Sequence, residues 1–188
     1  MKTGLYFGSF NPIHIGHLII ANHVLNNTDL KKIWFVVSPH NPLKESATLL
    51  EEYKRLNLVR TAVEDDYRLK ASDIEFNLPR PSYTINTLTY LKEKYPETEL
   101  CIIMGSDSLQ NIAKWKNYTQ IIDNHEIIVY ERPGFAAEMS HPNIHILQHT
   151  PFINISATQI RELIKAGKSA RYLLPEKVYE EILKGGYY

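Results

Sequence analysis

Two histidines three positions apart, His14 and His17, stand in the segment Gly8-Ser9-Phe10-Asn11-Pro12-Ile13-His14-Ile15-Gly16-His17. Gly8 permits a turn or a close backbone approach that a side chain would obstruct. Pro12 stiffens the loop and removes one donor. A helix beginning near Gly16 would aim its unpaired N–H groups into the space the imidazoles share. Imidazole donates hydrogen bonds and can gain charge beside an anion, so the set suits a polyphosphate. Alone, such a pair could also cap a turn. A zinc site is disfavoured, because neither a second cysteine nor a His-x-Glu arrangement accompanies the pair. His23 is expected on the helix surface.

A second cluster lies far along the chain, at Ile155-Ser156-Ala157-Thr158-Gln159-Ile160-Arg161. Ser156 can N-cap a helix with Gln159 reaching back. Thr158 and Arg161 then sit one turn apart on one face, while Ile160, Leu163 and Ile164 take the buried one. Hydroxyls and a guanidinium at a helix start form another phosphate-binding device, although a plain capped amphipathic helix with a surface arginine has the same spacing. Gly167-Lys168-Ser169 imitates the end of a Walker A loop, but Glu162 stands where that loop needs glycine and a helix precedes it. Gly105-Ser106-Asp107-Ser108-Leu109 is not a G-x-S-x-G elbow, which weakens a serine hydrolase.

These residues need a frame. Leu5–Phe7, Ile33–Val37, Leu100–Met104, Ile127–Tyr130 and Ile144–Leu147 are short apolar runs that predict buried strands. Helical spacing covers Leu18–Leu25, Leu49–Val63, Ser82–Tyr95 (capped by Ser82), Ser156–Ala166 and Pro175–Lys184 (stopped by Gly185). Strands alternating with helices predict an α/β fold: a Rossmann-like, doubly wound parallel sheet with helices on both faces and a C-terminal helical segment. Ligands then bind beyond the strand ends, which is where Gly8–His17, Ser38–Lys44 and Gly105–Trp115 fall.

The length, 188 residues, suits one domain over 1–188. Twenty-one basic residues balance 21 acidic ones. No cationic field gathers nucleic acid, and any anion site must be local. No apolar run approaches the ~20 residues that span a bilayer, and the start lacks a signal-peptide layout. The single cysteine, Cys101, lies among apolar neighbours and reads as an inert buried thiol. A cytoplasmic location, with no membrane partner, is expected.

The first segment resembles the G-x-F-x-P-x-H-x-G-H signature of the HIGH-type nucleotidyltransferase superfamily, and the second resembles its I-S-[SA]-T-x-I-R signature. Three further stretches are similar to bacterial nicotinate-nucleotide adenylyltransferases: Pro81-Ser82-Tyr83-Thr84-Ile85-Asn86-Thr87-Leu88, Met104-Gly105-Ser106-Asp107-Ser108-Leu109 with Lys114-Trp115, and Arg132-Pro133-Gly134. Leu173-Leu174-Pro175-Glu176-Lys177-Val178 resembles that family's ending, so the similarity runs from Leu5 to Tyr187.

The resemblance implies joining ATP to nicotinate mononucleotide, giving deamido-NAD and pyrophosphate. It places His14, His17, Lys44 and Arg161 in catalysis. Gly8, Ser9, Phe10, Gly105, Asp107, Ser156 and Thr158 join them around ATP, and Ser9, Lys44, Tyr83, Thr84, Asp107 and Trp115 frame the mononucleotide. Trp115 offers a stacking face, or else is a partly buried core residue. The implied cofactor is Mg²⁺ carried with ATP, with no protein metal site. A homo-oligomer is possible. Two departures stand out: Leu43 replaces a histidine common before the lysine matched by Lys44, with His40 a possible substitute, and Asn11 replaces a common aspartate. Alternatives are the same chemistry on nicotinamide mononucleotide or phosphopantetheine, or a noncatalytic nucleotide-binding module.

Overall fold

A computed structural model describes residues 1–39, 49–137 and 139–188. Six strands form one parallel sheet: β1 (Lys2–Gly8), β2 (Lys32–Val37), β3 (Leu69–Ser72), β4 (Glu99–Gly105), β5 (Glu126–Tyr130) and β6 (Ile144–Leu147). Their order is β3-β2-β1-β4-β5-β6. The direction of winding reverses between β1 and β4, and there a doubly wound sheet opens a crevice at its carboxyl edge.

Period-two alternation sorts the strand side chains onto two faces. Tyr6, Ile33, Phe35, Val37, Cys101, Ile103, Ile128 and Tyr130 join one core. Leu5, Trp34, Val36, Leu100, Ile102, Met104, Ile127 and Val129 join the other. The first face is covered by α1 (Ile15–Asn27), α2 (Glu52–Val63), α6 (Ala157–Lys165) and α7 (Glu176–Gly185). The second is covered by α3 (Thr84–Lys94), α4 (Ser106–Gln110) and α5 (Tyr118–Asn124). The expected α/β class with helices on both faces is therefore observed, and the C-terminal helices pack beside α1 and α2.

Several expected boundaries differ. β3 was not expected: Leu-Lys-Ala-Ser is short and polar, as suits an edge strand. α2 starts at Glu52 instead of Leu49, because Leu50 uses its N–H on Asn11 Oδ1 and its carbonyl on Arg55. α3 starts at Thr84 behind Tyr83, and Ser82 is not its cap: the Ser82 hydroxyl is buried on the Glu75 side of the loop. α7 runs through Gly185 and ends at Gly186, whose φ of 60° is the left-handed conformation a helix terminator needs. α4 and α5, of 5 and 7 residues, are too short to show a period.

Candidate active site

The loop after β1 turns at Ser9 and Phe10. Phe10 has φ of 45°, in the left-handed region that costs an L side chain about 1–2 kcal/mol. Packing holds it there: its ring is 2% exposed and meets Tyr6, Phe35 and His17 edge-on at 5.9, 5.5 and 5.1 Å. A Cβ on Gly8 would lie 2.8 Å from that ring, so glycine is required before it. The Asn11-Pro12 peptide is cis.

His14 is the N-cap of α1. Its backbone N–H donates to His17 Nδ1 at 3.2 Å, and the two rings stack at 3.7 Å. With Nδ1 accepting, the neutral His17 ring carries its proton on Nε2. His14 is 6% exposed, and its Nδ1 lies buried without a hydrogen-bond partner. Burial, aided by the positive charge of Arg132, lowers its pKa to about 4. The ring is therefore neutral at physiological pH, and a charge on it would need an anion beside it, as the sequence reading has it. His23 lies on the helix surface as expected, half-exposed, with its Nε2 3.3 Å from the Gln148 carbonyl.

The start of α6 faces the same space. Ser156 Oγ accepts from Gln159 N–H at 3.2 Å, the expected cap. Arg161 Nη2 donates to Thr158 Oγ1 at 3.2 Å, and Nη1 donates to the Asn11 carbonyl at 2.8 Å. The two distant signatures thus touch. Together with the mouth of the sheet they bound a cleft of about 960 Å³. Gly8, Ser9, Phe10, His14, His17, Tyr83, Thr84, Gly105, Asp107, Trp115, Ser156, Thr158 and Arg161 all line it. Lys44, with Leu43 and His40, lies outside the described residues.

The cleft is also lined by Gly105, at the end of β4, and Asp107, in the first turn of α4. A Cβ on Gly105 would fall 2.4 Å from Asp107 Oδ1 and 2.8 Å from Arg132 Cδ, so a side chain there would displace this pair. Arg132 Nη1 lies 3.4 Å from Asp107 Oδ2. Ser106 is fully buried, its hydroxyl accepting from Arg132 N–H at 2.9 Å, which commits it to structure. Trp115 is half-buried against the second core and also lines the cleft. Lys116 sits 4.6 Å from the Tyr83 ring centroid. The first turns of α1, α3 and α6 open on the cleft, adding partial positive charge to Arg132, Arg161, Lys114 and Lys116.

Sequence reasoning missed several residues here. Arg132 was noted only within a resemblance. Glu75, on a 3-10 turn after β3, lines the cleft at 2% exposure and accepts from Thr87 Oγ1 at 2.9 Å. Burial raises its pKa above the usual carboxylate range, against the hydroxyls of Thr87, Ser38 and Ser82. Arg55 is fully buried and donates to the carbonyls of Leu50, Ser9, Ser38 and Pro39 at 2.6–3.0 Å. An isolated carboxylate or guanidinium in a helical period carries no signal of such burial. Among the described residues, no group of three or more His, Cys, Asp or Glu side chains is placed to hold a metal ion.

Comparison with known proteins bears on this geometry. The cytidylyltransferase-like family model matches residues 5–163. A probable nicotinate-nucleotide adenylyltransferase of Flavobacterium johnsoniae is 53% identical, spanning 100% of this chain and 99% of that one. A namesake from Bacteroides fragilis is 46% identical over 97% and 92%. The chain belongs to the cytidylyltransferase-like family, in its nicotinate-nucleotide adenylyltransferase branch. The fold of this family member agrees with a solved one. The nicotinic acid mononucleotide adenylyltransferase of Plasmodium falciparum, complexed with NaAD, superposes with a TM-score of 0.82 at 18% identity, covering 98% of this chain and 96% of that one. As a member of a nucleotidyltransferase family, the chain is an enzyme of that class.

Proposed function

We propose that this protein transfers the adenylyl group of ATP to nicotinate mononucleotide, giving deamido-NAD and pyrophosphate. The observation that carries the reading is the convergence of both signatures on one cleft, with Arg161 bonded 2.8 Å from the Asn11 carbonyl. A relative at 53% identity bears the name probable nicotinate-nucleotide adenylyltransferase, which supports the choice of acceptor.

In this reading His14, His17, Arg161 and Lys44 act on the triphosphate. Gly8, Ser9, Phe10, Gly105, Asp107, Ser156 and Thr158 border ATP, while Ser9, Lys44, Tyr83, Thr84, Asp107 and Trp115 frame the pyridine nucleotide. The attacking group is an ionised phosphate, so no general base is required. One of its oxygens bonds to the α-phosphorus of ATP, the bond from that phosphorus to the bridging oxygen breaks, and pyrophosphate departs with the electron pair. The residues contribute alignment and donors for the charge that builds on the phosphoryl oxygens. His17 offers its Nε2–H. His14, held neutral by burial and by Arg132, becomes a cationic donor once polyanion charge raises its pKa. Mg²⁺ would arrive on ATP, held by phosphates and water and neutralising their charge.

Residues 1–188 act as one catalytic unit in this reading, and the setting is the cytoplasm. Among the described residues no helix is long and apolar enough to cross a membrane. The test is pyrophosphate release with ATP and Mg²⁺ against nicotinate mononucleotide, nicotinamide mononucleotide and phosphopantetheine. The first should give the highest kcat/KM. Release with another acceptor in preference, or with none, overturns the assignment.

A further inference from the structure

The loop holding Ser9, Phe10, Asn11 and Pro12 is short and conformationally demanding, with Phe10 at positive φ. Such a conformation persists only where its surroundings over-determine it. Three elements do so here. Arg55 Nη1 on α2 donates to the Ser9 carbonyl at 2.6 Å. Arg161 on α6 donates to the Asn11 carbonyl at 2.8 Å. The third lies beyond α7. Gly186 turns the chain back, Tyr187 N–H donates to the Ile182 carbonyl at 3.1 Å, and Tyr188 reaches the rear of the loop. Its hydroxyl donates to Asn11 Oδ1 at 2.8 Å.

Asn11 is 5% exposed and joins these supports. Its side-chain oxygen also accepts from Leu50 N–H at 3.1 Å, so it ties the segment entering α2 to the chain after α7. Its main-chain oxygen is the seat of Arg161. A shift of Asn11 therefore moves the Arg161 guanidinium and the loop running into His14 together. Tyr188 meets this network at the Asn11 side chain. Its influence passes through Asn11.

We propose that Tyr188 is a positioning residue for adenylyl transfer: its hydroxyl, through Asn11, sets where the β1–α1 loop and Arg161 stand in the cleft. This rests on the reading of the cleft as the adenylyl-transfer site. Burial pushes the Tyr188 phenol above its ordinary range, so the donor stays protonated across neutral and mildly alkaline pH.

The test is Tyr188→Phe in the full chain, which keeps the ring and removes only the donor. Tyr187→Phe serves as the control. The expected result is a kcat about fivefold to tenfold lower, the factor that one hydrogen bond of ordinary net strength carries. Both KM values should stay within about twofold, because alignment at the transition state is what is lost. Substrate-free amide exchange should quicken in residues 9–14 and not in β4 or β5. Tyr187→Phe should match the parent in kcat and in exchange. An unchanged kcat in Tyr188→Phe, or a loss of kcat accompanied by faster exchange throughout the sheet, overturns the proposal. If the parent itself releases no pyrophosphate, the reading of the site has failed, and exchange in residues 9–14 still decides whether Tyr188 holds the loop.

Discussion

Replacing His14 by glutamine should abolish part of the protein's acid sensitivity, and its size follows from the structure. The His14 imidazole is 6% exposed, and its pKa is lowered to about 4 by burial and by Arg132. In the unfolded chain an imidazole titrates near 6.5. The folded state thus prefers the neutral ring, and the unfolded chain takes up the proton first as pH falls. Stability should decline below about pH 6.5 and level off below about pH 4, for a full loss of about 3.4 kcal/mol. Between pH 7 and pH 5 the linkage integral gives about 2 kcal/mol. Urea midpoints of the parent and of His14→Gln at both pH values isolate this group, because His125, also lowered by burial, is common to both. The parent should lose about 2 kcal/mol more than the variant, or about 4–8 °C in Tm for a chain of this size. Parallel declines would refute the assignment of a buried neutral His14. A companion measurement is calorimetry near pH 5.5 in two buffers of different ionisation enthalpy. ATP binding there should take up a proton as its phosphates raise the pKa of the ring.

His17→Ala should lower turnover by about 10²–10³ with the fold intact, as loss of one transition-state donor does, checked by pyrophosphate release and circular dichroism. Arg55→Ala leaves buried carbonyls on Leu50, Ser9, Ser38 and Pro39 without their donor. It should cost at least about 3 kcal/mol in a urea titration, and a loss under about 1 kcal/mol would contradict the role given to Arg55. Glu75 has a raised pKa, so its contribution is complete below the usual carboxylate range and is lost as pH rises through the folded value. Glu75→Gln should therefore gain on the parent steadily as pH is raised, read from Tm against pH.

The strands β1, β2, β4 and β5 were legible because each is a run covered on both faces, and such runs need no partner to be recognised. β3 was not: at the sheet edge, one side of a Leu-Lys-Ala-Ser segment can stay polar. The first loop and the start of α6 were legible as chemistry because histidine, glycine, hydroxyl and guanidinium at those spacings suit a phosphate wherever the chain goes. Arg55, Glu75 and Tyr188 were silent, since an arginine at helical spacing, a carboxylate in a polar stretch and a tyrosine after a helix are ordinary on a surface.

The local pattern of the chain by itself determined the α/β class and the two groups of site candidates, because period and residue type act over a few neighbouring positions. Only the tertiary structure decided the order β3-β2-β1-β4-β5-β6, the meeting of Arg161 with Asn11, and the burial that leaves His14 neutral. Those depend on which distant segments exclude water from one another, and that is a property of the packed chain that no window of sequence contains.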